Sequence, residues 1–523
     1  MAIYVFSLLV GYELSGVDVA LARRGQYFKK TNSTIKYIFT EIPERRYIDR
    51  YQQLGIQKEE MTSVHLKLSN AHDLSGEYSV EEKIAELKAS MGIDNIVSRG
   101  TEIVLYKNGY RVAVLVLKED VRFFSSILFY ETERLIAEEI YTDRLLYTKH
   151  YITANANGSL YAKLKRTTFF DENGKVTCEC FYEDNVPKYI YPNGECLSEY
   201  DILENYIQGL ELSEEDIVFI DRPSYMEFVQ PLLQYKNNAK LVIFLHSGHY
   251  YKRQESESAL YMNSEYYGWF KYSKYIDAVI VSTEAQKEDL IDKYKMYGCH
   301  IPRIEVIPVS GLNKITYTNE KRTPYSLITV SRINKRKNIS WIIKSVIEAK
   351  KELPELTLDI YGGGNAEYIS ELEKFLHENA ADSFIKFKGR VDVTDVYKAY
   401  EVYITASLWE TLGLSCMEAI GSGNAMIGLD VRYGNRLFIK DNINGKLVDF
   451  NIDDIMKDGI ERETITKMKD AIVEVFADKE RLERFHDNSY LLAKDFLDEE
   501  IEKKWLSFLN DFMVVKGAFH DER

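Results

Sequence analysis

The chain has 523 residues, with 67 Lys+Arg against 82 Asp+Glu for a formal net charge of -15, and 45% of its residues are hydrophobic. At ~100–200 residues per domain this implies about three or four domains, each apolar enough to bury a core, and excludes a disordered or collagen-like chain. The acidic balance argues against a general nucleic-acid or anionic-membrane binder, because nonspecific affinity for either comes from cationic neutralisation of phosphates; a local basic pocket is compatible with it.

The five cysteines, Cys178, Cys180, Cys196, Cys299 and Cys416, are few, odd in number and without the paired spacing of a zinc site, which fits a reducing compartment. The N-terminus lacks the cationic lead and small-residue cleavage site of a secretory signal. No apolar run reaches the ~20 residues of a membrane span. The expected location is therefore the cytoplasm, with at most peripheral contact with a membrane.

In chain order, an apolar strand at 3–10, a Gly-containing turn from Gly11 to Gly16, a helical pattern over 17–29 and a strand from Lys36 to Thr40 predict a doubly wound sheet. From about residue 100 the texture changes. Ile103 to Tyr106, Asn108-Gly109 and Tyr110 to Leu117 predict a hairpin, because Asn-Gly accepts the positive φ angles of a type I′ turn. Asn157-Gly158, Asn173-Gly174 and Asn193-Gly194 repeat the signal, so an antiparallel β-meander is predicted over 67–202, inserted in the first α/β domain.

The α/β rhythm resumes with apolar strands at 216–221, 240–245, 277–282 and 304–309, and polar residues 312–324 read as a linker. A second α/β set follows, with strands at 325–330, 356–361, 385–388 and 402–406 and helices at 338–353, 366–379 and near 393–400. From about 460 the chain is helical, and Trp505, Leu506, Leu509 and Phe512 recur at helical spacing on a last helix predicted to pack back on the first half. Two Rossmann-like halves are implied.

The window from Thr405 to Gly423 is the most informative. A strand ends near Ala406, a short loop follows, and a helix runs from about Gly413 until Gly421. Free N–H groups at that helix start lie at the carboxyl edge of a parallel sheet, where doubly wound folds bind phosphate. Glu410 before the helix and Glu418 within it can reach opposite ends of a ligand; equally, they read as a solvated and a helix-face glutamate. Arg332 and Lys337, on the loop after strand 325–330, form a diphosphate clamp or an exposed basic patch. Gly362 to Gly364 and Lys388-Gly389-Arg390 follow further strands, where glycines admit a ligand or simply turn the chain. His246, after strand 240–245, reads as a cleft contact, a structural histidine or, with His249, half of a metal site that lacks its third ligand. No G-x-G-x-x-G marks the first turn, against an NAD-dependent dehydrogenase.

Ser331-Arg332 with Lys337, Tyr361-Gly362, Lys388-Gly389, and Glu410-x7-Glu418 continued by Ala419-Ile420-Gly421-Ser422-Gly423 resemble glycosyltransferase family 4. These are retaining enzymes of the GT-B fold, in which two Rossmann-like domains face a cleft. Leu14-Ser15-Gly16-Val17, Asp221-Arg222, His246-x-x-His249-Tyr250, Val281-Ser282-Thr283, Ile307-Pro308-Val309 and Asp430-Val431-x-Tyr433-Gly434-Asn435, with the β insertion, resemble one subgroup of it. That subgroup glycosylates serine-rich repeat adhesins ahead of accessory secretion, and teichoic acid α-glycosyltransferases share its architecture.

The resemblance implies that Glu410 meets hydroxyls of the donor sugar and Glu418 the ribose of a uridine nucleotide. Arg332 and Lys337 neutralise the leaving diphosphate, helped by N–H groups around Thr411, Leu412, Gly413 and Leu414. Gly389 and Arg390 lie by the uracil, Gly16, Val17, Asp18 and Val19 near the diphosphate and sugar, and His246 by the sugar at the reaction centre. Thr411 and Leu412 stand where the family usually has Gly and Phe, which leaves glucose or N-acetylglucosamine open as donor sugar.

The implied reaction is transfer of that sugar from a UDP-sugar to Ser/Thr hydroxyls of a serine-rich adhesin, with retention. The UDP-sugar is a substrate rather than a cofactor, and no metal is expected because the chain has no Asp-x-Asp. The implied partners are a Ser/Thr-rich acceptor protein and a homologous noncatalytic GT-B subunit, and not nucleic acid. The implied organisation is an acceptor-side Rossmann-like domain at 1–66 and 203–312, a partner- and acceptor-binding insertion at 67–202, a UDP-sugar-binding domain at 313–488 and a C-terminal helix at 489–523. The alternatives are a poly(glycerol phosphate) teichoic acid α-glucosyltransferase and a noncatalytic subunit; the presence of Arg332, Lys337, Glu410 and Glu418 together argues against the second.

Overall fold

The computed structural model describes residues 1–523 except 9–15, 41–46, 71–77, 119–120, 143, 157, 223–225, 253–259, 319 and 515–523. Most of the predicted first turn, with Leu14 and Ser15, lies outside the described residues, as does Asn157. The chain divides into two compact units, residues 1–244 with 267–277, and residues 245–266 with 278–523. No helix among the described residues is long and apolar enough to cross a membrane.

In the first unit, strands Met61–Ser63, Thr34–Phe39, Ala2–Ser7, Ile217–Ile220 and Lys240–Phe244 lie side by side in that order, all parallel. Their near-continuous apolar sequences follow from burial on both faces; every residue of Ile217–Ile220 is buried. Helix Gly16–Lys29 covers one face, with Phe28 stacked 5.0 Å from Phe219. Beneath it Arg24 forms a fully buried ion pair with Asp221 and lies 4.1 Å over the Phe244 ring.

Among the described residues the inserted sheet has eleven strands. Ten run antiparallel in chain order from Asn95–Arg99 to Cys196–Ser198, and Tyr78–Ser79 pairs with Phe123–Glu131. Asn108 and Gly109 both take positive φ, 51° and 78°, as a type I′ turn requires. Asn173-Gly174 differs from the prediction. Asp171 N–H donates to the Lys175 carbonyl and the Asp171 carboxylate accepts the N–H groups of Asn173 and Lys175, each at 2.9 Å, so only Gly174 takes positive φ, at the end of a longer loop. Asn193-Gly194 behaves alike, whereas Thr132-Glu133 and Asp184-Asn185 form two-residue turns without glycine.

The second unit holds a six-stranded parallel sheet in the order Ile385–Gly389, Thr357–Tyr361, Thr323–Val330, Tyr400–Thr405, Ala425–Leu429 and Gly445–Val448. The order reverses between Thr323–Val330 and Tyr400–Thr405. That is the switch point of a doubly wound sheet, where the loops at the carboxyl ends part and leave room for a ligand. One face packs under helices Ile339–Ala349 and Ile460–Phe476; the other packs under Leu414–Gly421 with Tyr397, Tyr403, Phe438 and Phe496.

One expectation in this unit fails. The stretch near 393–400 is no helix and holds only the 3-10 turn Tyr397–Ala399. Asp392 accepts both the N–H and the hydroxyl of Thr394, at 2.9 and 2.6 Å, a local turn that competes with helical bonding. The polar stretch read as a linker is fastened near both its ends. Leu312 bridges Leu497, and the Arg322 guanidinium donates to the carbonyls of Lys398, Tyr400 and Ser422 at 2.7–3.1 Å. The last helix, Asp498–Val514, buries Ile501, Trp505 and Leu509, and its Asp511 lies 2.9 Å from Arg303 on strand Arg303–Val306.

Candidate active site

The loops at the carboxyl edge of the six-stranded sheet are laced together by their main chains. Ser331 N–H donates to the Tyr361 carbonyl at 3.1 Å, Ile333 N–H to Gly363 at 2.8 Å, and Gly362 N–H to Gly389 at 2.9 Å. A Cβ on Gly362 would fall 1.9 Å from the Ser331 carbonyl oxygen, and one on Gly364 2.1 Å from that of Ile333. These two glycines therefore admit a neighbouring loop. Around Gly389, where φ is 71°, a Cβ would meet nothing within 4 Å, so that position faces open space beside the exposed Arg390.

Lys337 ends the short 3-10 turn Lys335–Lys337, and its ammonium makes an ion pair with the Glu410 carboxylate. The two side chains are 21% and 18% exposed, shielded enough for the pair to be ordered and open enough to meet a ligand. Asn338 follows in a left-handed conformation and donates to the Ala406 carbonyl at 3.1 Å, fastening this loop to the end of strand Tyr400–Thr405. Arg332, on the same loop, is exposed. The structure thus brings Lys337 and Glu410, 73 residues apart, into direct contact.

Gly413, at φ 86°, starts helix Leu414–Gly421, whose first turn carries no acidic residue that would neutralise its positive end. Leu412 is buried, so it offers that edge its backbone, while Thr411 and Leu414 are half-buried. Within the helix, Glu418 Oε2 accepts from the Tyr397 hydroxyl at 2.8 Å. Burial and the neighbouring carboxylate raise the Tyr397 phenol well above its ordinary range, so it stays a donor. Cys416 lies between the two glutamates, and burial pushes its thiol up to about 12, away from nucleophilic duty.

The loop after strand Lys240–Phe244 lies beside this edge, since a Cβ on Gly248 would be 3.7 Å from the exposed Trp409 ring. His246 is half-buried on that loop. Its neighbour Ser247 is fastened to the Tyr266 hydroxyl, Oγ to O at 3.0 Å. His249 is fully buried, and burial drives its imidazole down to about 4. The two histidines thus occupy different environments. In the other unit, Gly16 is exposed, Val17 and Val19 are half-buried, and Asp18 is buried, accepting from Tyr51 at 3.1 Å and lying 3.4 Å from Arg222.

Sequence reasoning missed Tyr397, Tyr433 and Asp289. Tyr397 sat inside the misread helix near 393–400. Tyr433 entered only as part of a motif, and its hydroxyl donates to Asp289 at 2.7 Å, a partner 144 residues away with no local signal.

With this geometry in hand, comparison with known proteins is decisive. The model for group 1 glycosyl transferases matches residues 314–490. Over 532 residues, all of both chains, the sequence is 32% identical to the UDP-N-acetylglucosamine–peptide N-acetylglucosaminyltransferase GtfA subunit of Streptococcus pneumoniae. The chain belongs to the GtfA family of glycosyltransferases. Its structure is similar to that of the pneumococcal O-GlcNAc transferase GtfA in complex with UDP and GlcNAc, with a TM-score of 0.85 and 28% identity over 98% of this chain and 99% of that one. It is likewise similar to a chain of a GtfA/B complex, with a TM-score of 0.82, 28% identity and the same coverage. This member of the family is thus a UDP-sugar-dependent glycosyltransferase of the GT-B fold, and the expected antiparallel insertion accompanies its two parallel sheets.

Proposed function

We propose that this protein transfers N-acetylglucosamine from UDP-N-acetylglucosamine to Ser/Thr hydroxyls of a serine-rich repeat adhesin in the cytoplasm, with retention, working beside a homologous noncatalytic GT-B subunit. The observation that carries the reading is the Lys337–Glu410 ion pair at the switch point, next to a helix start free of acidic residues. It sets a cation for a leaving diphosphate against a carboxylate for sugar hydroxyls. The pneumococcal relative, whose name specifies a UDP-N-acetylglucosamine donor and a peptide acceptor, and the GtfA/B assembly support the choice of donor, acceptor and partner.

In this reading Arg332, Lys337 and the N–H groups of Thr411 to Leu414 offset the charge that grows on the diphosphate as the anomeric C–O bond breaks. Fixed donors aimed at developing charge are worth about 10²–10³ in rate each. Glu410 orients the sugar hydroxyls, Glu418 the ribose, Gly389 and Arg390 the uracil, and His246 the sugar from the neighbouring loop. Gly16, Val17, Asp18 and Val19 of the first unit are assigned to the diphosphate and sugar by the family resemblance alone. The acceptor hydroxyl attacks the face that the diphosphate leaves: its oxygen bonds to the anomeric carbon, and its proton passes to a diphosphate oxygen. Positioning then matters more than activation. The cationic groups carry the neutralisation without a divalent ion. The domain limits at 66, 202, 312 and 488 belong to the same proposal.

The test supplies UDP-N-acetylglucosamine or UDP-glucose, with a Ser-rich repeat peptide or poly(glycerol phosphate) as acceptor, with and without a homologous partner subunit. Sugar on peptide serines from UDP-N-acetylglucosamine is the expected outcome. Transfer confined to the polyol phosphate would overturn the reading.

A further inference from the structure

Tyr433 stands out as a backbone anomaly. It holds φ 75° and ψ -112°, a conformation that side chains other than glycine avoid at a cost of about 1–3 kcal/mol. It does so where the chain touches the site. Tyr433 and Glu410 form a parallel β-bridge, and the next N–H, that of Gly434, donates to the Glu410 carbonyl at 2.7 Å. Gly434 has no room for a side chain, since a Cβ would lie 2.1 Å from the Leu412 carbonyl oxygen. The strained residue thus forms one wall of the segment that presents Glu410 to Lys337.

A strained residue persists only if its surroundings over-determine it. Here the hold comes from Asp289, 5% exposed on helix Glu284–Met296. Its Oδ2 accepts from the Tyr433 hydroxyl at 2.7 Å, and its Oδ1 pairs with the Arg432 guanidinium. Both carboxylate oxygens are therefore committed to consecutive residues of one loop. Burial and the adjacent carboxylate raise the Tyr433 phenol, keeping it a donor. A glycine at 433 would relax the backbone but lose this tether, so the strain buys position rather than stability.

We infer that Asp289, acting through Tyr433, is a positioning residue for Glu410, fixing the loop that carries the sugar-binding carboxylate. The inference rests on the reading of Glu410 as the group that meets the donor sugar.

The test compares Tyr433→Phe, Asp289→Asn, Asp289→Ala, the Tyr433→Phe/Asp289→Ala double variant and Glu410→Gln, measuring kcat, KM for UDP-N-acetylglucosamine and thermal midpoint. Tyr433→Phe removes one hydroxyl from an otherwise intact ring, so it guards against Asp289→Ala failing to fold. Tyr433→Phe and Asp289→Ala should each lower kcat about tenfold or more with KM within about threefold, while Asp289→Asn restores part of the loss. The double variant should be no worse than the poorer single one, as expected of groups acting as a unit. Wild-type kcat in Tyr433→Phe and Asp289→Ala beside an inactive Glu410→Gln overturns the inference and leaves the reading of the site intact. Losses that track only the unfolded fraction also overturn it. Wild-type turnover in Glu410→Gln instead removes the reading on which it rests.

Discussion

The hairpin turns of the inserted sheet and the loops at the carboxyl edge of the six-stranded sheet both depend on glycine, for different physical reasons. At Gly174 a Cβ would meet nothing within 4 Å, and glycine is there for its φ of 76° alone. At Gly434 the backbone is ordinary, and what excludes a side chain is the carbonyl of Leu412, from another loop. The first requirement is local and repeats wherever a turn of that type occurs. The second is tertiary, and marks a place where backbones close in around a site.

The largest effect belongs to the charged groups of the edge: Glu410→Ala or Arg332→Ala should reduce UDP-sugar turnover by about 10²–10³ or more, with far-ultraviolet circular dichroism unchanged. Wild-type rates in either variant would remove the edge's claim to be the site. Next, Gly434→Ala should cut turnover tenfold or more and cost about 1–3 kcal/mol, as overpacking does, read by denaturant titration.

The second unit should also show its own acid limb. His249 and His486 are held neutral by burial, each near 4, below the ordinary histidine value. Because the unfolded chain takes up protons that the folded one refuses, stability is fully present above about pH 6.5 and is lost as pH falls from there toward 4. Thermal midpoints should drop over that window, and His486→Gln, which can still donate to the Glu401 carbonyl, should flatten part of the drop. A flat profile in the intact protein would disprove it.

Gly174→Ala should cost only about 1 kcal/mol of stability, the penalty of a left-handed alanine, and leave turnover untouched. A large loss of activity there would erase the contrast between the two regions. Smallest of all is the effect of a chelator, which should leave turnover at its original rate; strict dependence on added Mn²⁺ would contradict neutralisation by Arg332 and Lys337.

Much of the architecture was legible before any coordinates. Apolar runs such as Ile217–Ile220 announce buried parallel strands and Asn108-Gly109 announces a hairpin, while the basic loop at 332–337 with Glu410 and Glu418 offers the phosphate-and-sugar edge proposed above. Each is carried by residues close in sequence, where periodicity, turn chemistry and charge act locally. The helix expected near 393–400 failed because a side chain at Asp392 offered the backbone a competing partner.

The contacts that tune the site are of the other kind. Lys337 with Glu410, Tyr397 with Glu418 and Asp289 with Tyr433 join residues 73, 21 and 144 positions apart. No local propensity specifies such pairs. Lys337 and Glu410 meet because the strand order reverses at Thr323–Val330, which brings the loops that follow that strand and Tyr400–Thr405 together at one edge. Composition and spacing determined which chemistry the chain carries; the crossing of the sheet decided which groups meet, and which backbone must bend to let them.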